Sequence, residues 1–288
     1  MEKNLKLSNH KLKRVTEVKF LGVVIDDKLN WEPQIDHLKA KLLSSLVVIK
    51  RIKSFIPHDE YNKLYNALFK SHLSYCISSW GGISKNKLKS IFSVQKRCIR
   101  LLFGKEINHD HSEFYNVCAR ALTYDQHMAD KNFQLEHTKP LFNERKLLTL
   151  HHLYIYHTSI DTLKILKYRT PISIFCNFDH SLRNINLKLL VPKVKLDLAK
   201  QNFFFQASCI WNEILDNVFD KCSSNDKGIV VPGSAIDSDL SISIGRAKNK
   251  LRDVLLNIQK VDPLRDLLGW SETKDWYPEN FFEAHYPV

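Results

Sequence analysis

The chain is poor in the residues that mark fibrous and low-complexity proteins. Its 288 residues include only 8 glycines and 9 prolines, while 44% of them are hydrophobic and 26% are charged. This balance is typical of a globular protein and excludes collagen-like and disordered classes. At this length we expect one large hydrophobic core or two smaller ones.

Long apolar runs are also missing. No stretch approaches the roughly 18–20 apolar residues that a membrane span needs, and the N-terminal sequence MEKNLKLSNHKLKR has no apolar segment of the signal-peptide kind. We therefore expect an intracellular protein, of the nucleus or the cytoplasm, that is neither secreted nor bound to a membrane.

Cysteine is scarce and scattered. The six cysteines stand at positions 76, 98, 118, 176, 209 and 222, with no CxxC pair among them. In a chain of this length, such spacing favours reduced and mostly buried thiols over a disulfide framework.

Motifs for self-contained catalysis are absent from the sequence. It holds no GxxxxGK[ST] or GxGxxG phosphate loop, no HExxH and no GxSxG. Asp26 and Asp27 follow an apolar segment, as the metal-binding carboxylates of a polymerase do, but the expected further carboxylate on a neighbouring strand is missing. Asp26 is therefore predicted to be a turn or helix-start residue.

The thirteen histidines form two groups that could suggest a metal site. The groups are His109, His111 and Cys118, and then His151, His152 and His157. Neither group has a recognised zinc spacing. The sequence favours loop and surface histidines and predicts no metal cofactor.

All of the excess positive charge lies in the first third of the chain. Residues 1–104 carry 20 Lys and Arg against 8 Asp and Glu, a balance of +12, whereas residues 105–288 carry 23 of each sign. A polyanion-binding module joined to a neutral region would produce this division. A solvated surface on an ordinary basic protein would produce it equally well.

The first third predicts a short β segment followed by a three-helix bundle. Residues 15–25 are rich in β-branched side chains and predict an extended segment or a hairpin that turns near residues 26–30, with Phe20 and Leu21 packed inward. Helical periods follow over about 33–56, 58–80 and 85–104, each bounded by proline or glycine.

The remainder predicts a mixed but mostly helical region, so that the fold class is mainly α. Within residues 105–220, an alternating stretch at 187–198 resembles an edge strand and 203–215 resembles a helix. Residues 221–245 are rich in Ser, Asp and Gly and predict a linker or loop. A helix and an aromatic tail complete the chain over 246–288.

Basic side chains recur at helical spacing in the bundle. Lys89, Lys96 and Arg100 are seven and four residues apart and share one face of the third helix, with Arg97 beside them. Such a row suits contact with successive phosphates of a nucleic-acid backbone, although a solvated helix face has the same pattern. With the basic residues of the first helix, the predicted contacts are Lys39, Lys50, Arg51, Lys89, Lys96, Arg97 and Arg100.

Three motifs stand in a fixed order: KFLGVVIDDKLNW, LYNALFKSHLSYCISSWGG and QKRCIRLLFG. Together with LLTLHHLYIYHTSIDTLKILKYRTP and NFFFQASCIWNEIL, they resemble the region after the palm in reverse transcriptases of non-LTR retrotransposons of the jockey kind. The resemblance covers about residues 15–215.

This resemblance implies roles for several segments. Phe20, Leu21 and Gly22 resemble the primer-grip hairpin at the end of the palm, and residues 33–104 resemble the thumb that closes on the template–primer duplex. Tyr75, Trp80 and Gly81 resemble a family signature for which we expect a role in packing the thumb helices. Trp211 and Asn212 match a C-terminal signature of undefined role.

The parent family is an RNA-directed DNA polymerase that uses Mg²⁺, but the palm and fingers with their catalytic aspartates are not in this sequence. We therefore expect no polymerisation by this chain alone and no cofactor of its own. The expected partners are an RNA–DNA or other nucleic-acid duplex, contacted through its phosphates, and a missing palm and fingers portion of the same polyprotein. The alternative is a non-functional relic or an interaction protein with no nucleic-acid ligand.

Overall fold

The computed structural model describes residues 6–7, 10–11, 14–104, 138–179, 189–193, 195–214 and 244–261. This part of the chain is mainly helical, with a short antiparallel hairpin before the helices, which confirms the predicted fold class. The strands are β1 (Lys6–Leu7), β2 (His10–Lys11), β3 (Glu17–Phe20) and β4 (Val23–Asp26).

The helices are named in chain order. The first five are α1 (Glu32–Ile52), α2 (Tyr61–Tyr65), α3 (Ser71–Ser74), α4 (Ile77–Trp80) and α5 (Lys85–Phe103). The later ones are α6 (Thr138–Glu144), α7 (Leu150–Tyr168), α8 (Ile172–Asp179), α9 (Asp197–Lys200), α10 (Phe203–Ile214) and α11 (Ile244–Val261). None of these helices is long and apolar enough to cross a membrane.

The β3–β4 hairpin reverses at Leu21 and Gly22. Phe20 pairs with Val23, which leaves two turn residues with φ of 46° and 83°. Positive φ at both positions is the signature of a type I′ turn, and glycine adopts it without strain. The prediction of a turn near 26–30 is therefore wrong for the hairpin, although a second turn there leads into α1.

The predicted inward packing of Phe20 and Leu21 is also wrong. Their side chains are 62% and 74% exposed, whereas Val23 on the other strand is 7% exposed. The physical reason is that β4 is the strand that lies against α1, so that β3 is the outer strand of the pair.

The first and third helices of the predicted bundle are confirmed as α1 and α5, and the second is interrupted. A π-helical turn, Asn66–Lys70, joins α2 to α3, and the chain then breaks at Cys76, whose φ is 50°. Periodicity could not reveal the break, because the apolar spacing continues across it: Leu73 and Ile77 are both buried.

Helices α1 and α5 run side by side in the same direction. At their N-terminal ends, Lys87 Nζ lies 2.9 Å from Glu32 Oε1 and donates a hydrogen bond of 3.1 Å to the Asn30 carbonyl oxygen. At their C-terminal ends, Lys53 Nζ donates to the Leu101 carbonyl oxygen at 3.3 Å. The two helices therefore keep one register along their whole length.

Helix α7 is the central element of the C-terminal half and packs against α4, α10 and α11. Its buried side chains between Leu150 and Ile160 share one hydrophobic core with those of α1, α5 and α11, whereas those between Leu163 and Leu166 belong to a second core with α8 and α10. The closest approach is at Gly81, where an added Cβ would lie 2.4 Å from Tyr154 Cδ2. Glycine at this position therefore lets α7 reach the backbone after α4, which agrees with the packing role expected for the signature.

The predicted edge strand over 187–198 is wrong for the residues described there, 189–193 and 195–198, which include no strand. Asn212 takes the place of a strand partner, since its side chain accepts from Leu189 N at 2.7 Å and donates to Leu189 O at 2.8 Å. One amide thus satisfies both backbone groups that a sheet would have paired. Asn212 belongs to the expected C-terminal signature.

The C-terminal helices agree with prediction in position. Residues 203–215 contain α10 and 246–258 lie within α11, which begins at Ile244, the first described residue after 214. The rest of the predicted linker and the aromatic tail lie outside the described residues.

All four described cysteines are free, but only Cys98 is buried, so that the prediction of mostly buried thiols is wrong for them.

Gln95 joins three parts of the core. Its side chain is fully buried on α5 and donates to the Tyr65 hydroxyl at 2.8 Å and to the Leu148 carbonyl oxygen at 3.1 Å. It also accepts from Leu150 N at 2.8 Å. A single amide therefore ties α5 to α2 and to the start of α7.

We expect Gln95→Leu to lower the free energy of unfolding by about 2–4 kcal/mol, because buried backbone groups at Leu148 and Leu150 lose their partner. Urea denaturation monitored by circular dichroism measures the change. The control is Asn86→Leu on the exposed side of α5, for which a change within about 0.5 kcal/mol is expected. Equal stability of the two variants would contradict the role given to Gln95.

Candidate nucleic-acid interface

The face of α5 opposite its buried side carries a row of basic residues. At roughly 100° per residue, Lys89, Lys96 and Arg100 fall within about 40° of one another. The buried residues Ile91, Cys98 and Leu102 lie on the opposite side of the helix. We call the row of Lys89, Lys96 and Arg100 the basic ridge.

The three side chains of the basic ridge differ in their exposure to solvent. Lys89 is exposed, whereas Lys96 and Arg100 are half-buried. Lys96 Nζ lies 4.9 Å above the ring of Phe92, which fixes the position of the ammonium group and leaves its charge intact. The ridge therefore presents positive charge over a helix that is held rigidly by its buried face.

Three more of the predicted contacts line the boundary between α1 and α5. Lys39 and Lys50 share the face of Glu32, which lies seven residues before Lys39 and eighteen residues before Lys50 in α1, and Glu32 contacts α5 through Lys87. Arg97 lies one turn before Leu101, which contacts Lys53 from the α1 side. All three are half-buried. We call Lys39, Lys50 and Arg97 the basic seam.

Arg51 is the one predicted contact that the structure separates from the others. It is exposed, but it lies about 100° around α1 from Lys50. Lys87 was not predicted to have a role, and it is a structural link between α1 and α5 rather than an outward cation. In the sequence Lys87 is one lysine among many, and nothing there indicates that it links two helices.

The predicted primer-grip residues form the exposed tip of the β3–β4 hairpin. The Tyr75 hydroxyl donates a hydrogen bond to the Leu21 carbonyl oxygen, and the Tyr75 ring lies against Gly22. At the other strand, Val24 N donates to Gln34 Oε1 of α1 at 2.9 Å. The tip is therefore held to the helical bundle at two points.

Trp80 supports this arrangement from the core. Its ring is fully buried, and Nε1 donates to the Tyr75 carbonyl oxygen at 3.0 Å. The signature residues Tyr75 and Trp80 thus connect the hairpin tip to the interior of the bundle. The resemblance implied a packing role for them, and the hydrogen bond from Tyr75 to Leu21 was not predicted.

Asp26 stabilises the turn that joins the hairpin to α1. Its two carboxylate oxygens accept from Asn30 N at 2.9 Å and Trp31 N at 2.8 Å, so that the predicted turn or helix-start role is confirmed. Burial tends to raise the pKa of Asp26, but the backbone hydrogen bonds outweigh it and hold the pKa below its ordinary value of 3.8.

The histidines of α7 are not on the surface. His151 and His152 are buried, so that the prediction of loop and surface histidines is wrong for this pair. His152 Nδ1 lies 2.7 Å from Thr149 Oγ1 at the start of the helix, while His157 is half-buried. Over the described ranges, no three His, Cys, Asp or Glu side chains are grouped to hold a metal ion.

Comparison with family models, with curated proteins and with solved structures finds no match to this chain.

We expect Asp26→Asn to lower the free energy of unfolding by about 1 kcal/mol at neutral pH, because an amide has one acceptor oxygen where two are used. Since the folded pKa lies below the unfolded one, the carboxylate stabilises the fold above about pH 4 and loses that contribution as the pH falls through the lowered pKa. Urea denaturation at several pH values measures both effects.

The matched control for this experiment is Asp27→Asn. Asp27 is exposed and forms a 3.6 Å ion pair with the exposed Arg14, so that its loss is expected to cost less than about 0.5 kcal/mol. A difference between wild type and Asp26→Asn that persists unchanged at the lowest pH would contradict the assignment of Asp26.

Proposed function

We propose that this chain is the thumb and C-terminal part of an RNA-directed DNA polymerase of a non-LTR retrotransposon. In this proposal it holds an RNA–DNA duplex by its phosphate backbone and does not polymerise on its own. The observation that carries the proposal is the basic ridge, three cations in line on a helix whose opposite face is buried in the core. The +12 charge of residues 1–104 supports it.

The length of the ridge suits a nucleic-acid strand. Lys89 and Arg100 are eleven residues apart, which is about 16 Å along the helix axis. That distance corresponds to roughly five nucleotide steps at about 3.4 Å each. Three cations over this length can each reach a different phosphate without reading a base edge.

The basic seam adds charge beside the ridge. Arg97 lies next to Lys96 on α5, and the parallel course of α1 and α5 brings Lys50 level with the C-terminal end of the ridge. The basic residues at both helix C-termini also favour helix stability through the macrodipole, so that charge alone does not identify a ligand. The salt dependence of binding separates the two roles.

The hairpin tip supports the same proposal. A primer-grip segment has to place a short, rigid piece of backbone against the end of a strand. Leu21 and Gly22 form a two-residue turn that projects into solvent and is held by Tyr75. The glycine offers an approach without a side chain.

We expect the chain to bind an RNA–DNA hybrid with log K falling against log salt at a slope of roughly −4 to −5, as ~4–6 phosphates are neutralised. Lys96→Glu with Arg100→Glu is expected to flatten this slope by at least about 2, because both cations are lost and replaced by repelling charges. Fluorescence anisotropy of a labelled hybrid across a salt titration provides the measurement, with a single strand as comparator.

The matched control is Lys41→Glu with Lys63→Glu. Lys63 forms a surface ion pair with Glu60, and Lys41 lies on the side of α1 away from the seam, so that the net charge changes equally without touching the ridge. The proposal requires the control to retain most of the wild-type slope. Identical slopes for the two double variants would show non-specific attraction and would remove the ridge from the interface.

A second function, self-association through β3, is favoured by a different observation. β3 is exposed along its length, with Val18 51% and Phe20 62% exposed, and within the described residues its outer edge has no strand partner. Exposed apolar edge strands pair with other chains. In this alternative the chain is a structural protein that binds a second copy of itself and no nucleic acid.

For this alternative, Val18→Lys is expected to convert dimers to monomers in sedimentation equilibrium, because a lysine on an edge strand opposes strand pairing. Val47→Lys, at a 48% exposed position on α1, is the control and is expected to leave the dimer intact. A wild-type chain that is monomeric at every concentration would exclude the alternative.

A further inference from the structure

An exposed aromatic ring lies at the C-terminal end of α1. Phe55 is 85% exposed, more than any other large apolar side chain in the described part of the chain. It is the last residue of a 3₁₀ turn, Lys53–Phe55, that continues α1. Pro57 restricts the preceding residue, Ile56, to an extended conformation, with φ of −116° and ψ of 133°. The helical course therefore ends at Phe55, where the chain turns away.

The turn that carries Phe55 is held by hydrogen bonds on both sides. The Lys53 carbonyl oxygen accepts from Ile56 N at 3.3 Å and from the Tyr61 hydroxyl at 3.0 Å, and Tyr61 is itself buried. Lys53 Nζ donates to the Leu101 carbonyl oxygen of α5 at 3.3 Å. The exposed ring therefore stands on a fixed backbone, which lowers the ordering cost of binding a ligand.

The contact between Lys53 and Leu101 also places this turn relative to the basic ridge. Leu101 directly follows Arg100, the last residue of the ridge. The turn therefore lies at the end of α5 where the ridge stops. A nucleic-acid strand that follows the ridge from Lys89 to Arg100 arrives at the end of the helix pair that carries Phe55.

Arg51 provides a positive charge next to Phe55. It is exposed and stands four residues before Phe55, roughly one helical turn, and residues at this spacing are neighbours on a helix surface. Arg51 is also the predicted contact that neither the ridge nor the basic seam includes. We call these two residues the Arg51–Phe55 pair.

The charge around the pair points to the kind of ligand. A single exposed apolar side chain requires no ligand by itself. Here, however, residues 50–53 hold three cations and no acid, and the next acids in the sequence are Asp59 and Glu60, of which Glu60 forms an ion pair with Lys63. An apolar partner would cover Phe55 but would leave Arg51 without a counter-charge. Charge complementarity therefore favours an anionic ligand that also has an apolar face.

An unpaired nucleotide has both parts. The bases of a duplex are already stacked on their neighbours, whereas an unpaired base has an open π-face on which an aromatic side chain can stack without regard to sequence. The guanidinium group is suited to the phosphate beside that base. The pair thus matches one nucleotide of a single strand.

We propose that the Arg51–Phe55 pair binds an unpaired nucleotide that extends from the duplex held by the basic ridge. This inference rests on the function proposed above and defines its ligand as a hybrid with a single-stranded extension. The ring of Phe55 stacks on the unpaired base, and Arg51 donates hydrogen bonds to the adjoining phosphate. The extension belongs to the RNA strand or to the DNA strand, and the experiment distinguishes the two.

The test is fluorescence anisotropy with three hybrids of equal duplex length: a blunt one, one with a short RNA extension and one with a short DNA extension. We expect the wild-type chain to bind one extended hybrid at least about fivefold more tightly than the blunt one, the effect of one base–aromatic stack. Phe55→Leu is expected to abolish this preference and to leave the affinity for the blunt hybrid unchanged. Phe55→Trp is expected to retain the preference, because it restores an aromatic face.

The salt dependence tests Arg51 separately. Arg51→Gln is expected to reduce the slope of log K against log salt by about 0.7 for the preferred extended hybrid, the contribution of one single-strand phosphate. The slope for the blunt hybrid is expected to stay the same, and an equal change in both slopes would remove Arg51 from the site. The matched control is Tyr168→Leu, which removes a 57% exposed aromatic ring at the end of α7 and is expected to keep the preference for the extension.

The outcomes separate this inference from the function on which it rests. Equal affinity of the wild-type chain for all three hybrids, or a preference that persists in Phe55→Leu, overturns the inference and leaves the ridge standing. Binding to a single strand that depends on Phe55, without binding to the blunt hybrid, overturns the ridge and keeps the pair. A chain that binds none of these ligands at low salt overturns both.

Discussion

The buried amide of Gln95 is the interaction on which the rest of the structure depends. It lies on the inward face of α5 and is bonded to the Tyr65 hydroxyl, to Leu148 O and to Leu150 N. These contacts fix the rotation of α5 about its axis, because a turned helix would leave buried polar groups without partners. A second glutamine, Gln259 of α11, binds the same segment before α7. Its side chain donates a hydrogen bond to the Leu147 carbonyl oxygen and accepts one from Thr149 N.

The outward surfaces follow from this inward constraint. With Ile91 and Leu102 directed to the core, the basic ridge is directed away from it, and the parallel register with α1 brings the basic seam alongside. The segment from Leu147 to Leu150 also positions α7 against α11, because Gln259 binds it. The basic ridge and the basic seam are thus consequences of the way in which the larger core packs.

Sequence reasoning succeeded where a periodic pattern met a clear boundary. The limits of α1 and α5 follow from apolar spacing with proline or glycine at the ends, because burial of one helix face dominates their stability. It failed where a single contact decides the local structure. No pattern shows that Asn212 will replace a strand partner of Leu189, or that the hairpin will reverse at Leu21.

The candidate interface, too, could be predicted only in part from the sequence. The common face of the ridge residues could be predicted, since seven- and four-residue spacing fixes direction on a helix. The structural use of Lys87 and the attachment of the hairpin tip through Tyr75 could not be predicted, because each depends on a neighbour distant in sequence. The burial of His151 and His152 depends likewise on which helices cover α7.

The measurement that tests the central claim most directly is lysine footprinting of the chain with and without an RNA–DNA hybrid, by acetylation and mass spectrometry. The account predicts that the hybrid protects Lys89 and Lys96 and leaves Lys41 and Lys63 as reactive as in the free chain. Equal modification of Lys89 and Lys96 in the bound and free states, under conditions where the hybrid is bound, would contradict the account.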